Sequence, residues 1–255
     1  IEKQQIDISI VIPTHNWKDI LKRCLNAIFC QTYPRSAYEI IVVDDGSTDN
    51  TVKIASENGV RVVSHPYNRG YGAALKTGIN AAKTDIIIAY DADGQHSLKV
   101  LEKIAAVADQ YDMVFGSREK GSQKDWLRMP ARKLLGFFAN ILSGYKIPDL
   151  NSGLRSYKTA IIKKYLHLMP DGFSMSTTST IALLKMGYAV KYIPIQTRNR
   201  TDGKSMIKPR DVFRFAMLIL NLIVLFNPQR VFLPISGFLL ITALVYFVIH
   251  SFTNG

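Results

Sequence analysis

Cysteine is nearly absent: the 255 residues carry two, Cys24 and Cys30. Two thiols six residues apart cannot build a disulfide framework, and their spacing fits no common zinc pattern. A reducing compartment therefore fits best, and both cysteines read as helix-packing residues. Acidic residues are also scarce beside basic ones, 20 against 32, which leaves a net charge of +12. That excess calls for an anionic partner or surface. No zinc-finger or RNA-binding motif occurs, so nucleic acid is set aside and an anionic membrane surface is favoured. A further absence lies in NRGYGAALKTG (68–78), where Leu75 stands in the place a phosphate loop needs glycine, ahead of Lys76 and Thr77. Gly70-x-Gly72 does not continue to a third glycine at dinucleotide-binding spacing either. P-loop NTPases and Rossmann dehydrogenases are both excluded on this ground. Neither an internal repeat nor a low-complexity linker is present.

Hydrophobic residues make up 47% of the chain, ample for a core. Up to about residue 116, apolar strand patterns alternate with helical ones. Strands are expected at Ile8–Ile12, EIIVVD (39–44), VRVVS (60–64), DIIIAY (85–90) and MVFGS (113–117). Helices are expected from Trp17 to Phe29, up to Glu57, over AALKTGINAA (73–82) and from Ser97 to about Gln110. This alternation predicts an α/β fold, a mostly parallel sheet with helices on both faces. Ligands of such sheets bind at the carboxyl ends of the strands. Thr14-His15-Asn16, Asp44-Asp45 and Asp91-x-Asp93 all fall there.

The texture then changes. Val231 to Ile249 is nineteen residues without a charge, about 28 Å as a helix and close to the hydrocarbon thickness of a bilayer. It reads as a transmembrane helix. PARKLLGFFANILSG (130–144) and SMIKPRDVFRFAMLILNLIVLF (205–226) each carry basic residues before an apolar stretch. The second apolar stretch, Phe215 to Phe226, spans only about 18 Å, too short to cross. Both segments read as helices lying in the membrane interface, the alternative being ordinary amphipathic core helices.

The chemistry sits in polar clusters that are weak singly. Asp44-Asp45-Gly46-Ser47 has the residue types of a helix cap, and an isolated Asp-x-Asp is often a solvated turn. Asp91, Asp93 and Gln95, however, present three oxygens from one short segment after an apolar strand. Two carboxylates and a carboxamide suit a hard divalent cation, Mg²⁺ or Mn²⁺. Such ions are commonly shared with substrate phosphates. Arg118, Arg128, Arg132, Arg155, Arg198, Arg200 and Lys204 supply cations outside the sheet, and arginine forks match phosphate oxygens. Two phosphate-bearing substrates would account for them.

VIPTHN, IIVVDDGSTDNT, NRGYGAALKTG, DADGQH, GSR, DLNSGLRSY and RTDGKS follow one another in an order and spacing that resembles family 2 glycosyltransferases. More narrowly, the set is similar to the polyprenyl-phosphate branch typified by dolichyl-phosphate mannose synthases. The resemblance spans about residues 7 to 250. It implies a GT-A catalytic domain over 1–206, including an interfacial helix at about 130–143, then a juxtamembrane interfacial helix over 207–227. A transmembrane segment over 228–255 would follow, with a second span expected beyond Gly255. The implied reaction is inverting, metal-dependent transfer of a sugar from a UDP- or GDP-linked donor to a dolichyl or undecaprenyl phosphate. The basic flank before Val231 places the catalytic domain on the cytosolic face.

By the same resemblance, Pro13, Thr14, His15 and Asp44 would hold the nucleoside. Asp91 and Ala92 would contact the donor, and Asp91, Asp93 and Gln95 would bind the metal, with Asp93 central to catalysis. Arg200, Lys204 and Ser205 would close over the donor diphosphate. Arg118 and Arg132, joined by Ser152 and Arg155, would grip the acceptor phosphate and act electrostatically on the transfer. Trp17 and Met206 depart from the family pattern, where an acidic residue and a lysine are common. Alternatives are a hydroxyl acceptor on a glycolipid or polysaccharide, and a non-catalytic membrane protein that binds nucleotide sugar. Self-association into a homo-oligomer is left open.

Overall fold

The computed structural model describes residues 7–91, 98–118, 136, 140, 143–150, 152–172, 175–196, 217, 220–221, 223–225 and 227–253. Its centre is β1 (Ile8–Thr14), buried at every position. β2 (Tyr38–Asp44) and β4 (Ile86–Ala89) pair with β1 on either side, both parallel, and β3 (Arg61–Ser64) extends β2 in the same sense. Beyond β4 one strand runs against the others. β6 (Arg155–Lys158) runs antiparallel between β4 and β5 (Met113–Arg118), and β7 (Val190–Ile195) pairs parallel with β5. The seven-stranded sheet thus has the order β3-β2-β1-β4-β6-β5-β7.

Strand periodicity divides the core into two layers. On one face Ile8, Ile10, Ile12, Ile40, Val42 and Ile88 pack under α1 (Lys18–Phe29), α2 (Thr51–Glu57) and α4 (Leu98–Ala105) through Leu21, Leu25, Ile28, Ala55 and Ile104. On the other, Val11, Ile41, Val43 and Ile87 meet α3 (Tyr71–Ala81), α5 (Thr159–Lys164) and α6 (Met175–Lys185). Each fully buried leucine or isoleucine contributes about 1.5–3 kcal/mol relative to exposure.

The α/β architecture expected from the alternating pattern is present, with its first five strands and four helices close to the expected positions. Two differences have physical reasons. α4 stops at Ala105, since the chain onward to Gln110 tightens into three-residue turns, as in Val107 N–H to Ile104 O (3.3 Å) and Gln110 N–H to Val107 O (3.2 Å). β6 was not anticipated because Arg-Ser-Tyr-Lys has no apolar alternation. Its Ser156 and Tyr157 are nonetheless buried on opposite faces of the sheet.

α7 (Gln229–Thr253) contains the charge-free run and is long and apolar enough to cross a membrane. Its side chains are outward, with Phe238 69% and Tyr246 70% exposed. The interfacial segments at 130–143 and 207–227 lie largely outside the described residues. Within the second, Ile223 is buried in the core and Leu225 is exposed.

Gly78 lets α3 lie directly on the sheet. A Cβ there would overlap Val11 Cγ1 and come 3.0 Å from Val43 Cγ2. Overpacking of this kind costs about 1–3 kcal/mol. Gly78→Ala is expected to lower the thermal midpoint by roughly 2–10 °C, measured by circular dichroism on the purified protein.

Candidate active site

The ladder aligns Thr14 with Asp44 and Asp44 with Ser64, which brings the polar ends of β1, β2 and β3 into one row. Asp44 is buried; its Oδ2 accepts the Ser47 N–H at 3.1 Å. Its Oδ1 and the Thr14 hydroxyl are buried with no hydrogen-bond partner among the described residues. Buried polar atoms rarely go unpartnered, so this juxtaposition fits a polar ligand group. Beside it, His15 Nδ1 donates to the Asp45 carbonyl at 2.9 Å, which fixes the ring. Asn16, at φ 54°, ties the two loops together: its N–H reaches Ser47 Oγ at 2.8 Å, and its Oδ1 accepts the Thr48 N–H at 2.8 Å. Asp44 to Ser47 do not cap α2, whose N-cap is Asn50; Asp49, one residue before it, accepts the Thr51 N–H at 2.9 Å.

Asp45 faces away from this row and holds a loop. Its Oδ1 accepts from His65 Nδ1 (2.7 Å) and Arg69 N–H (2.8 Å), and its Oδ2 accepts from Gly70 N–H (2.8 Å). Burial would raise the Asp45 pKa, but the His65 bond and the two backbone donors outweigh it and hold the carboxyl below its ordinary value. The loop then starts α3. There a Cβ on Gly70 would lie 2.6 Å from the Asp171 carbonyl oxygen, and one on Gly72 would overlap that of Pro170. The glycines of NRGYG therefore serve close packing against the 170–172 turn.

Asp91 follows β4. Tyr71, first residue of α3, donates its phenol to Asp91 Oδ1 at 2.8 Å. Burial first, and then the Asp91 charge, push that phenol well above its ordinary pKa, so it remains a donor. The other carboxylate oxygen rests on the backbone of Gly153, where any Cβ would overlap Asp91 Oδ2. An oriented carboxylate at the end of a parallel strand fits one ligand of a hard divalent ion. Ala92, Asp93 and Gln95 lie outside the described residues. Among the described residues no three acidic, histidine or cysteine side chains converge.

On the far side, Arg118 closes β5 and forks onto Asp149, Nε to Oδ2 at 2.6 Å and Nη2 to Oδ1 at 2.9 Å. Ser152 is buried, and its hydroxyl has no partner among the described residues. Arg155 corrects an expectation: it does not face an acceptor. It is 1% exposed and points between sheet and α6. There it donates to the carbonyls of Ser152 and Ser176 and the hydroxyls of Ser179 and Thr180, with Phe115 beneath its guanidinium at 5.2 Å. The Ser176 carbonyl and the hydroxyls of Ser179 and Thr180 make this burial tolerable, and the STTST run (176–180) is the sequence signal for it. Arg132, Arg200, Lys204 and Ser205 lie outside the described residues. Pro13 is buried within β1.

The family model described as glycosyl transferase family 2 matches residues 9–166. The chain belongs to that family. This family 2 chain is 37% identical over 204 residues to an uncharacterised protein of Methanocaldococcus jannaschii, covering 75% of this chain and 81% of that one. It is 34% identical to the UDP-N-acetylglucosamine–dolichyl-phosphate N-acetylglucosaminyltransferase of Methanococcus voltae, over 74% of this chain and 85% of that one. It is 33% identical to the undecaprenyl-phosphate 4-deoxy-4-formamido-L-arabinose transferase of Edwardsiella ictaluri, over 78% of this chain and 62% of that enzyme's length. In fold, the glycosyltransferase resembles glucosyl-3-phosphoglycerate synthase of Mycobacterium tuberculosis, solved with Mn²⁺ and UDP. The TM-score is 0.64 at 19% identity, over 87% of this chain and 80% of that one. This likeness supports the GT-A architecture.

Within that architecture Asp45 holds the 65–70 loop through three accepted hydrogen bonds. A carboxyl whose pKa is lowered by folding adds stability above its unfolded value, near 3.8, and that stability is lost as pH falls through the lower folded value. Asp45→Asn is expected to cost about 1–3 kcal/mol at pH 7. Urea unfolding at several pH values should show the gap to wild type narrowing below pH about 4.

Proposed function

We propose that this glycosyltransferase moves a sugar, with inversion, from a uridine diphosphate sugar to the phosphate of a polyprenyl phosphate at the cytosolic membrane face. The observation that carries the phosphate acceptor is the Arg118–Asp149 fork. A hydroxyl acceptor needs a carboxylate to take its proton, yet both oxygens of Asp149 accept from Arg118. A phosphate monoester has a second pKa near 6, so it is largely a dianionic nucleophile at neutral pH and needs no base. Two relatives whose names specify dolichyl-phosphate and undecaprenyl-phosphate acceptors support the same reading.

Uridine is favoured by Asp44. Oδ2 holds the Ser47 N–H, leaving Oδ1 beside the Thr14 hydroxyl. One acceptor oxygen and one hydroxyl match uracil's single ring N–H and adjacent carbonyls; guanine's paired N1–H and amino donors call for both oxygens of a carboxylate. His15, fixed by Asp45, would stand beside the base.

The chain's contribution is positioning and electrostatics. Asp91, Asp93 and Gln95 would hold Mg²⁺ or Mn²⁺, which supplies charge compensation for the leaving diphosphate. Arg200, Lys204 and Ser205 would cover that diphosphate. Arg118, its plane set by Asp149, and Arg132 would hold the acceptor phosphate near the sugar carbon, with Ser152 as a further donor. Residues 1–206 would form the catalytic domain, 207–227 would lie on the membrane and 228–255 would enter it, bringing the lipid phosphate to the sheet edge.

Incubation with UDP- and GDP-sugars and a polyprenyl phosphate, followed by mass spectrometry of the lipid, tests the proposal. A phosphate-linked monosaccharide from a UDP-sugar is expected; transfer only to hydroxyl acceptors would contradict it. Arg118→Ala should raise the KM for the lipid phosphate about 10–100-fold, the worth of one charge-assisted contact, while nucleotide affinity stays within about twofold. If Asp149→Asn abolished turnover with both substrates still bound, a carboxylate base would be operating instead.

A further inference from the structure

NRGYGAALKTG (68–78) is accounted for so far only as packing, yet it delivers one polar group to the site. The loop is clamped at its start by Asp45, which holds the N–H groups of Arg69 and Gly70. It is clamped at its end by the 169–171 turn, where Ala73 N–H donates to the Asp171 carbonyl at 3.1 Å and Lys76 Nζ to the Met169 carbonyl at 3.0 Å. Between the clamps stands Tyr71. Its ring packs on the core cluster that includes Ala74 and Leu75, and its hydroxyl reaches Asp91 Oδ1 at 2.8 Å. Phenylalanine would fill the same core space. The phenol is therefore needed for the hydrogen bond rather than for packing.

Asp91 is confined from its other side as well. Ala89 is opposite Arg155 in the antiparallel ladder, so Asp91, two residues on, lies opposite Gly153, whose lack of a side chain admits Asp91 Oδ2. The carboxylate is thus oriented by a donor on one oxygen and a backbone surface under the other. Ligands of metals are commonly oriented by such outer partners, and removal of one costs about 10–100-fold in metal affinity or activity.

We propose that Tyr71 is a positioning residue: the glycine-rich loop exists to fix its phenol, which with Gly153 sets the Asp91 carboxylate for the divalent ion of a metal–nucleotide donor. The inference rests on the metal-dependent reading above. It assigns the 68–78 motif an indirect role in metal capture, with no phosphate contact of its own.

The test is calorimetric titration of UDP into the full chain in detergent, with and without Mn²⁺, for wild type and Tyr71→Phe. Wild type is expected to gain affinity with Mn²⁺. Tyr71→Phe should lose about tenfold or more of the Mn²⁺-dependent affinity, with metal-free UDP binding within twofold of wild type and the thermal midpoint unchanged. In turnover assays the half-saturating Mn²⁺ should rise while the KM for the lipid phosphate stays constant. Gly153→Ala, which crowds Asp91 from the opposite side, should reproduce the metal defect with Tyr71 intact. Wild-type Mn²⁺ response in Tyr71→Phe, or equal losses with and without Mn²⁺, would overturn the proposal and leave the glycosyltransfer reading standing. No Mn²⁺-dependent nucleotide binding in the wild type would overturn both.

Discussion

In a parallel sheet the ladder decides which side chains meet at the strand ends, and the polar row at the ends of β1, β2 and β3 depends on one register. Thr14 is opposite Asp44, and Asp44 is opposite Ser64. A shift by one residue would turn every side chain of β1 to the wrong layer, exchanging Ile10 and Ile12 for Val11. Both layers of the core therefore enforce the alignment, and the polar row at the carboxyl edge is a consequence of apolar packing below it. Placing β6 antiparallel between β4 and β5 adds the second half of the constraint. It brings Gly153 under Asp91 and lets β5 end on the Arg118–Asp149 pair.

Buried polar groups explain how the rim is held rigid. Asp45 accepts three hydrogen bonds from one loop, and Arg155 donates to a shell of carbonyls and hydroxyls from the 152 turn and α6. Each is a charged group made tolerable by complete hydrogen bonding. Their neighbours Asp44, Thr14 and Ser152 each keep a polar atom without a protein partner among the described residues. Asp45 and Arg155 thus secure the scaffold, and the unpartnered oxygens near them fit a polar ligand group.

Much of this was legible in the sequence. Apolar strand runs alternating with helical patterns identified the α/β class and put Thr14, Asp44 and Asp91 at the strand ends, and the charge-free run foretold α7. Less legible were β6, whose polar residues are buried by tertiary packing, and the direction of Arg155, which depends on which face of β6 it occupies. Tyr71 was hidden for a related reason. A tyrosine opening a helix reads as core, and only the chain-distant meeting of α3 with the end of β4 shows its hydroxyl at a carboxylate.

On the proposed reading, the ends of β1, β2 and β4 form a single cradle for a metal–nucleotide diphosphate. A crystal of the protein grown with UDP and Mn²⁺, measured at the manganese absorption edge, tests it most directly. One strong anomalous peak is expected within ligand distance of Asp91, with the uracil ring against His15 and its N–H on Asp44. A peak remote from Asp91, or a nucleotide bound away from the Thr14–Asp44 row, would contradict it.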